Sequence, residues 1–184
     1  MSDENAALLV MDFQEGIVER FGDTAVVDRV VGAIAAARSA GIQIIYVKVD
    51  FRPGFPEVSS RNRAFSQVVG SGFLGEKAGL HPSVAPQQGD VEVTKRRVSA
   101  FTGSDLEVVL RSREITTLVL TGIATSGVVL STLREAADKD YELFVLSDCC
   151  ADADPEVHRV LLEKVFPRQA EVLDSETWAV TLTR

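Results

Sequence analysis

Leu120-Thr121-Gly122-Ile123-Ala124-Thr125-Ser126-Gly127-Val128-Val129-Leu130-Ser131-Thr132 is an apolar run that breaks directly into a helical pattern. A strand that hands over to a helix in this way is the repeating joint of an open α/β sheet. Such sheets keep their chemistry at that joint, outside the carboxyl ends of the strands.

The same alternation extends in both directions. Thr116 to Leu120 predicts a strand and Ser126 to Asp138 a helix. Tyr141 to Leu146 follows as a strand, Pro155 to Phe166 as a helix opened by proline, and Ala170 to Leu173 as a last strand. Upstream, Asp105 to Arg113 sets Leu106, Val109 and Leu110 on one helix face, and Val91 to Thr94 reads as a short strand. Ile42 to Val49 is a strand rich in β-branched residues. Thr24 to Ala40 has Val26, Val27, Val30, Val31, Ile34 and Ala37 at helical spacing, and Gly41 stops it. Ala6 to Met11 has no polar interruption, as expected of a strand buried on both faces. Repeated β-α units predict a three-layer αβα, Rossmann-like fold: a six-stranded parallel sheet with helices on both faces. The 184 residues fit one domain, residues 1–184.

Composition narrows the function. The chain is 46% hydrophobic, enough for a sizeable core, and its formal net charge is −8. An acidic chain repels phosphate backbones and anionic lipid, so neither nucleic acid nor a membrane is an expected partner. No apolar run reaches the roughly 18 residues of a spanning helix. Met1-Ser2-Asp3-Glu4-Asn5 does not read as a targeting segment. The two cysteines, Cys149 and Cys150, are adjacent and poorly placed to pair with each other. These features predict a cytoplasmic protein. There is neither a Gly-x-Gly-x-x-Gly turn nor a phosphate loop, so no organic cofactor is expected.

Asp50 to Asp90 breaks the alternation with ten glycines and prolines, among them Pro53, Gly54, Gly79 and Pro82. A helical turn is expected around Ser60 to Val69. So long a segment in a compact domain is usually functional. It leaves the carboxyl end of the second strand, where it can cover a site; otherwise it packs or joins subunits.

Asp12 follows the first strand, at the sheet's crevice, where a carboxylate serves as general acid or base, or simply as a turn residue. Lys95 ends the third strand within Val93-Thr94-Lys95-Arg96-Arg97. There it can hold a carboxylate ionised and polarise a substrate oxygen, whereas Arg96 and Arg97 read as a solvated patch. The amides of Ala124 to Val128 can hold an anion, with Ser126 as helix cap. Cys149 and Cys150 end the fifth strand; they read as inert packing, or as a replacement thiol. Trp178 and Phe166 read as core or interface.

These marks, in this order, resemble the isochorismatase-like hydrolase superfamily, often called cysteine hydrolases. The superfamily includes nicotinamidases, N-carbamoylsarcosine amidohydrolases and isochorismatases. The resemblance rests on Leu9-Val10-Met11-Asp12-Phe13-Gln14, on Lys95 with Ser99-Ala100-Phe101, and on Thr121-Gly122-Ile123-Ala124-Thr125 with Ser131-Thr132, then Ala136, Ala137 and Asp148. It implies Asp12 as base, Lys95 as its partner, a cis peptide at Ile123-Ala124, and a homo-oligomer, dimer or larger. In cysteine-using members the nucleophile stands six residues after the Gly of the Thr-Gly pair. Counting from Gly122 gives Val128, which cannot attack a carbonyl.

Isochorismatases are similar in lacking that cysteine, and hydrolyse a vinyl ether with the aspartate as general acid. Valine is bulkier than the glycine usual there, and Ala124-Thr125-Ser126 replaces their Tyr-Ala-His pattern, which argues against isochorismate itself. The expectation is a hydrolase of a small anionic metabolite that uses Asp12 and Lys95 without a covalent thiol. The alternative is an inactive member kept as a binding or assembly module. The expected substrate-binding set is Phe13, Arg52, Phe101, Ala124, Thr125 and Gly127. Arg52 would grip a carboxylate, with Arg61 and Arg63 as further candidates, or each has a surface role. Some nicotinamidases bind a metal after the second strand. Here Asp50-Phe51-Arg52 has no adjacent histidine, and His81 and His158 are far apart, so no metal site is expected.

Overall fold

The computed structural model describes residues 5–21, 24–70 and 77–182. Six strands form one parallel sheet: β1 (Ala6–Met11), β2 (Gln43–Val49), β3 (Val91–Lys95), β4 (Thr117–Ile123), β5 (Glu142–Ala151) and β6 (Glu171–Leu173), in the order β3-β2-β1-β4-β5-β6. β1 is central and every residue in it is buried. Its side chains alternate between two cores. Ala6, Leu8 and Val10 join the cluster beneath α1 (Glu15–Phe21), α2 (Thr24–Ser39) and Trp178 of α7 (Ser175–Leu182). Ala7, Leu9 and Met11 join the cluster beneath α4 (Leu106–Ser112) and α5 (Leu130–Asp138). This two-sided burial explains the uninterrupted apolar run, and each fully buried Leu or Val contributes about 1.5–3 kcal/mol. The αβα architecture is the one predicted. Trp178 and Phe166 are both core residues, with no exposed surface.

α2 ends as Gly41 foretells. Gly41 adopts φ 75°, its amide bonds Arg38 O at 3.2 Å, and Ile42 N bonds Ala37 O at 2.9 Å. A left-handed residue there satisfies the last carbonyls of the helix. Val31, expected on the buried face, is instead 37% exposed.

Several elements differ from expectation. β4 runs on to Ile123 and β5 to Ala151. The β4–β5 register shifts after Leu120↔Val145 and resumes at Gly122↔Cys150. α1 and α7 have no counterpart among the predicted elements, and the joint before α5 is a π-helical turn, Thr125–Val129. The helix opened by Pro155 is α6 (Pro155–Val160), which passes into a π-helical turn at Leu161–Val165 and a 3-10 turn at Phe166–Arg168.

The segment after β2 carries α3 (Arg63–Gly70) and is stitched to the sheet at both ends. At its start, Asp50 N donates to Lys95 O and Arg96 Nη1 donates to Asp50 O. At its end, residues 77–81 lie along residues 13–16: Glu15 N donates to Gly79 O, Gly16 N to Lys77 O and His81 N to Phe13 O. Gln14, fully buried, joins the two. Its Nε2 donates to Val49 O and Ala78 O, and its Oε1 accepts from Val49 N.

Candidate active site

β1 and β4 are neighbours, and the chain leaves them toward opposite edges of the sheet: β2 and β3 on one side, β5 and β6 on the other. Their carboxyl ends form the topological switch point of an open α/β sheet. Asp12 is the first residue beyond β1. Its φ is 60°, and its amide donates to Val47 O at 2.8 Å. Asp and Asn tolerate this left-handed conformation better than most residues do.

Lys95, the last residue of β3, reaches past the end of β2 to Asp12. Nζ lies 2.9 Å from Asp12 Oδ2, and both side chains are almost fully buried. Nζ also donates to Arg97 O and Val98 O, each at 3.0 Å. An ammonium has three protons, and all three are used inside the protein. The expectation that Lys95 also polarises a substrate oxygen is therefore corrected: its donors are committed to fixing Asp12 and the chain that follows β3. Asp12 Oδ1, by contrast, is buried without a hydrogen-bond partner. Burial pushes the Asp12 carboxyl above its ordinary range, outweighing the opposing pull of Lys95.

β4 enters the next turn through a cis peptide at Ile123–Ala124, at the bond where the sequence resemblance placed one. Gly122 is pressed between elements: a Cβ there would lie 3.0 Å from Met11 O and 3.1 Å from Val128 Cγ1. Val128 is 2% exposed. Three of the turn's amides are committed within the protein. Gly127 N and Val129 N both donate to Ala124 O, and Ser126 N donates to Asp152 Oδ2 at 2.7 Å. This corrects the expected role of Ser126 and narrows the set of amides expected to hold an anion. The protein's own Asp152 takes the Ser126 amide expected to hold a ligand anion, and Ser126 is capped rather than capping. Thr125 is fully buried, with Oγ1 2.7 Å from His158 Nδ1. Burial lowers the His158 pKa, against a smaller upward pull from Asp152.

A cavity of about 270 Å³ opens over this junction. Asp12, Lys95, Ala124, Gly127 and Val128, all named from sequence, line it together. So do Ile17, Arg20 and Phe21 of α1, Ala64, Phe65 and Val68 of α3, and Val49, Val98, Ile123 and Ala153. The long segment thus contributes a wall of the cavity. The other expected residues stand apart from it. Thr125 faces His158. Phe13 is fully buried in the core shared with α2. Phe101 packs beside Tyr141, with ring centroids 6.2 Å apart. Arg52 is exposed and pairs with Glu57 at 2.5 Å, and Arg61 and Arg63 are also exposed. Sequence reasoning missed Arg20 and Phe21. Their only signal was a short apolar pair, Ile17-Val18, after Asp12.

Cys149 and Cys150 are buried in β5 and do not line the cavity. Burial pushes the Cys150 thiol up to about 12 and raises Cys149 as well. Thiols so protonated suit packing rather than nucleophilic attack. Among the described residues, no group of three or more His, Cys, Asp or Glu side chains is placed to hold a metal ion.

Comparison with known proteins extends the geometry. The family described as Isochorismatase domain matches residues 6–177. The uncharacterized isochorismatase family protein YecD of Escherichia coli O157:H7 is 34% identical over 96% of this chain and 95% of its own length. The ureidoacrylate amidohydrolase RutB of Stutzerimonas stutzeri is 34% identical over 97% of this chain and 79% of its own. A crystal structure of a cysteine hydrolase from Pseudomonas syringae pv. phaseolicola shares the fold with a TM-score of 0.90. It is 24% identical, over 100% of this chain and 94% of that one.

Proposed function

The chain belongs to the isochorismatase family of hydrolases, and from that membership we propose that it hydrolyses a small anionic metabolite by acid–base chemistry at Asp12, without a covalent enzyme intermediate. The observation that carries the proposal is the asymmetry of the Asp12 carboxyl. Lys95 holds Oδ2, while Oδ1 has no partner and the residue lines the cavity. With its pKa raised by burial, Asp12 is suited to hold a proton and pass it on.

In this reading Asp12 delivers its proton to the departing side of the scissile bond. Water adds to the other side, and the proton that water sheds returns to Asp12. Lys95 is a positioning residue that keeps Oδ2 engaged. Val128 occupies the place where the resemblance puts a nucleophilic cysteine, so water is the attacking group. The anionic character of the substrate is supported by the name of the RutB relative, whose substrate is a carboxylate.

Val128 also favours a second reading, in which the cavity binds without turnover. One experiment separates the two: mass spectrometry of a metabolite pool incubated in oxygen-18 water with native protein or Asp12→Asn. The expected result is a compound consumed by the native protein with label in its product, and a rate at least about 100-fold lower for Asp12→Asn. A pool left unconsumed by both proteins would favour the binding module. An amide consumed with equal speed by both would remove Asp12 from the mechanism.

A further inference from the structure

Two hydrogen bonds tie the turn after β4 to the chain that follows β5. Ser126 N donates to Asp152 Oδ2, and Thr125 Oγ1 meets His158 Nδ1, each at 2.7 Å. The cavity is lined on both sides of this tie, by Ala124, Gly127 and Val128 of the turn and by Ala153, the neighbour of Asp152. The second bond depends on a proton. Thr125 is fully buried, and among the described residues His158 is the hydrogen-bond partner of its hydroxyl. A buried hydroxyl left without an acceptor is costly. Nδ1 accepts only while it carries no proton, so the ring is neutral and its proton sits on Nε2. A second proton would land on Nδ1 and turn two donors toward each other. Burial of the ring works in the same direction, against the charged form.

Few charges oppose it. α6 packs against the turn Thr125–Val129, which brings no titratable group, and continues into Leu161–Val165. Asp152, just ahead of α6, is the charge that favours the protonated ring, and burial outweighs it. On α6 itself, Asp154 accepts from the amides of Glu156 and Val157, and Arg159 is shared between Glu156 and Glu163. Lys164 is exposed.

We infer that His158 is a positioning residue of the cavity: as a neutral acceptor it holds Thr125, and with it the wall formed by Ala124, Gly127 and Val128, and on taking a proton it lets that wall go. The purpose of the device rests on the hydrolytic reading, because Asp12 lines the same cavity. Hydrolysis then needs a proton on Asp12 and none on His158, so its rate falls on both the acid and the alkaline side.

The test is an NMR titration of the whole chain between about pH 4 and pH 8, following the two histidine rings and the amides of Gly127 and Val128. His81→Gln identifies the His158 ring. Native His158 should titrate below its ordinary value of 6.5, and the two amides should shift with the same midpoint. Asp12→Asn, which silences the carboxyl of the cavity, should leave that response in place. Thr125→Val, nearly identical in shape, should abolish the response while His158 still titrates. His158→Asn puts an acceptor oxygen where Nδ1 stands and should hold the amides at their high-pH positions throughout; His158→Phe should hold them at their low-pH positions. Native amides that ignore the His158 midpoint overturn the inference. So do amides that still follow it in Thr125→Val, where the ring charge alone would be acting. If Thr125→Val does not fold, equal amide positions in His158→Asn and His158→Phe overturn it. The titration reads the turn and not turnover, so its failure would leave catalysis at Asp12 standing, and its success would hold even where labelled water shows no hydrolysis.

Discussion

Asp12 is an acid whose surroundings argue with its neighbour. Lys95 draws the carboxyl toward ionisation, and burial pushes it the other way and prevails. The folded state therefore holds the Asp12 proton to higher pH than the unfolded chain, whose ordinary value is 3.8. A group raised in this way contributes stability that is fully present below its unfolded pKa and lost as pH rises through the folded one. Native protein and Asp12→Asn, compared by urea denaturation at a series of pH values above about 4, isolate the effect. The stability of native relative to Asp12→Asn should fall by about 1.4 kcal/mol per pH unit between the unfolded and folded pKa values, and then level off. A difference that stays flat, or grows with pH, would show that Lys95 wins instead. Asp12 and Lys95 were legible as cavity residues because each sits at or just beyond the end of a strand, positions the apolar pattern fixes, whereas Val128 was reached by counting from Gly122 in the family resemblance. Arg20 was not legible, because its place in the cavity depends on how α1 folds back over the sheet.

The joint between β4 and α5 depends on one missing side chain. Gly122 lets β4 approach the backbone of Met11 and the methyls of Val128 at once. Gly122→Ala should cost about 1–3 kcal/mol in urea denaturation, since the Met11 carbonyl cannot swing aside as a side chain does. A cost near zero would mean that β1 and β4 part more easily than their register implies. The strands and helices that were read correctly have strong periods, as with Ala6–Met11 and Thr24–Ser39. Those misjudged carry polar residues where structure continues. Thr121 is fully buried because its hydroxyl donates to Leu9 O at 2.9 Å, so β4 runs past a residue that looked like a boundary. Ser147 and Asp148 likewise looked like the end of β5. Asp148 instead accepts from Ser175 N and Oγ and anchors the start of α7. π-Helical turns leave no mark in residue spacing, and α1 buries only Ile17 and Val18.

Across the whole molecule, the two thiols lie in the sheet and the cavity lies at its edge, and these do not meet. Iodoacetamide should therefore leave both cysteines of the folded protein unmodified, by intact mass, over a time in which urea-unfolded protein takes up two labels. Hydrolysis should continue in the treated sample, and activity lost in step with labelling would return a thiol to the mechanism. The alternation of strands and helices was enough to place the site at the switch point. The segment after the second strand was legible as able to cover it, but not which of its residues wall the cavity, because that depends on contacts between residues 13–16 and 77–81, far apart in sequence. The same stitching makes the chain separable. Gln14 and Arg96 hold the two feet of the long segment, while residues 53–56 between them are exposed, with Gly54 and Phe55 in left-handed turn conformations. For the protein engineer this is a seam. A reporter domain inserted there, or a backbone divided there, leaves both flanking strands fastened by hydrogen bonds rather than by the peptide that was cut.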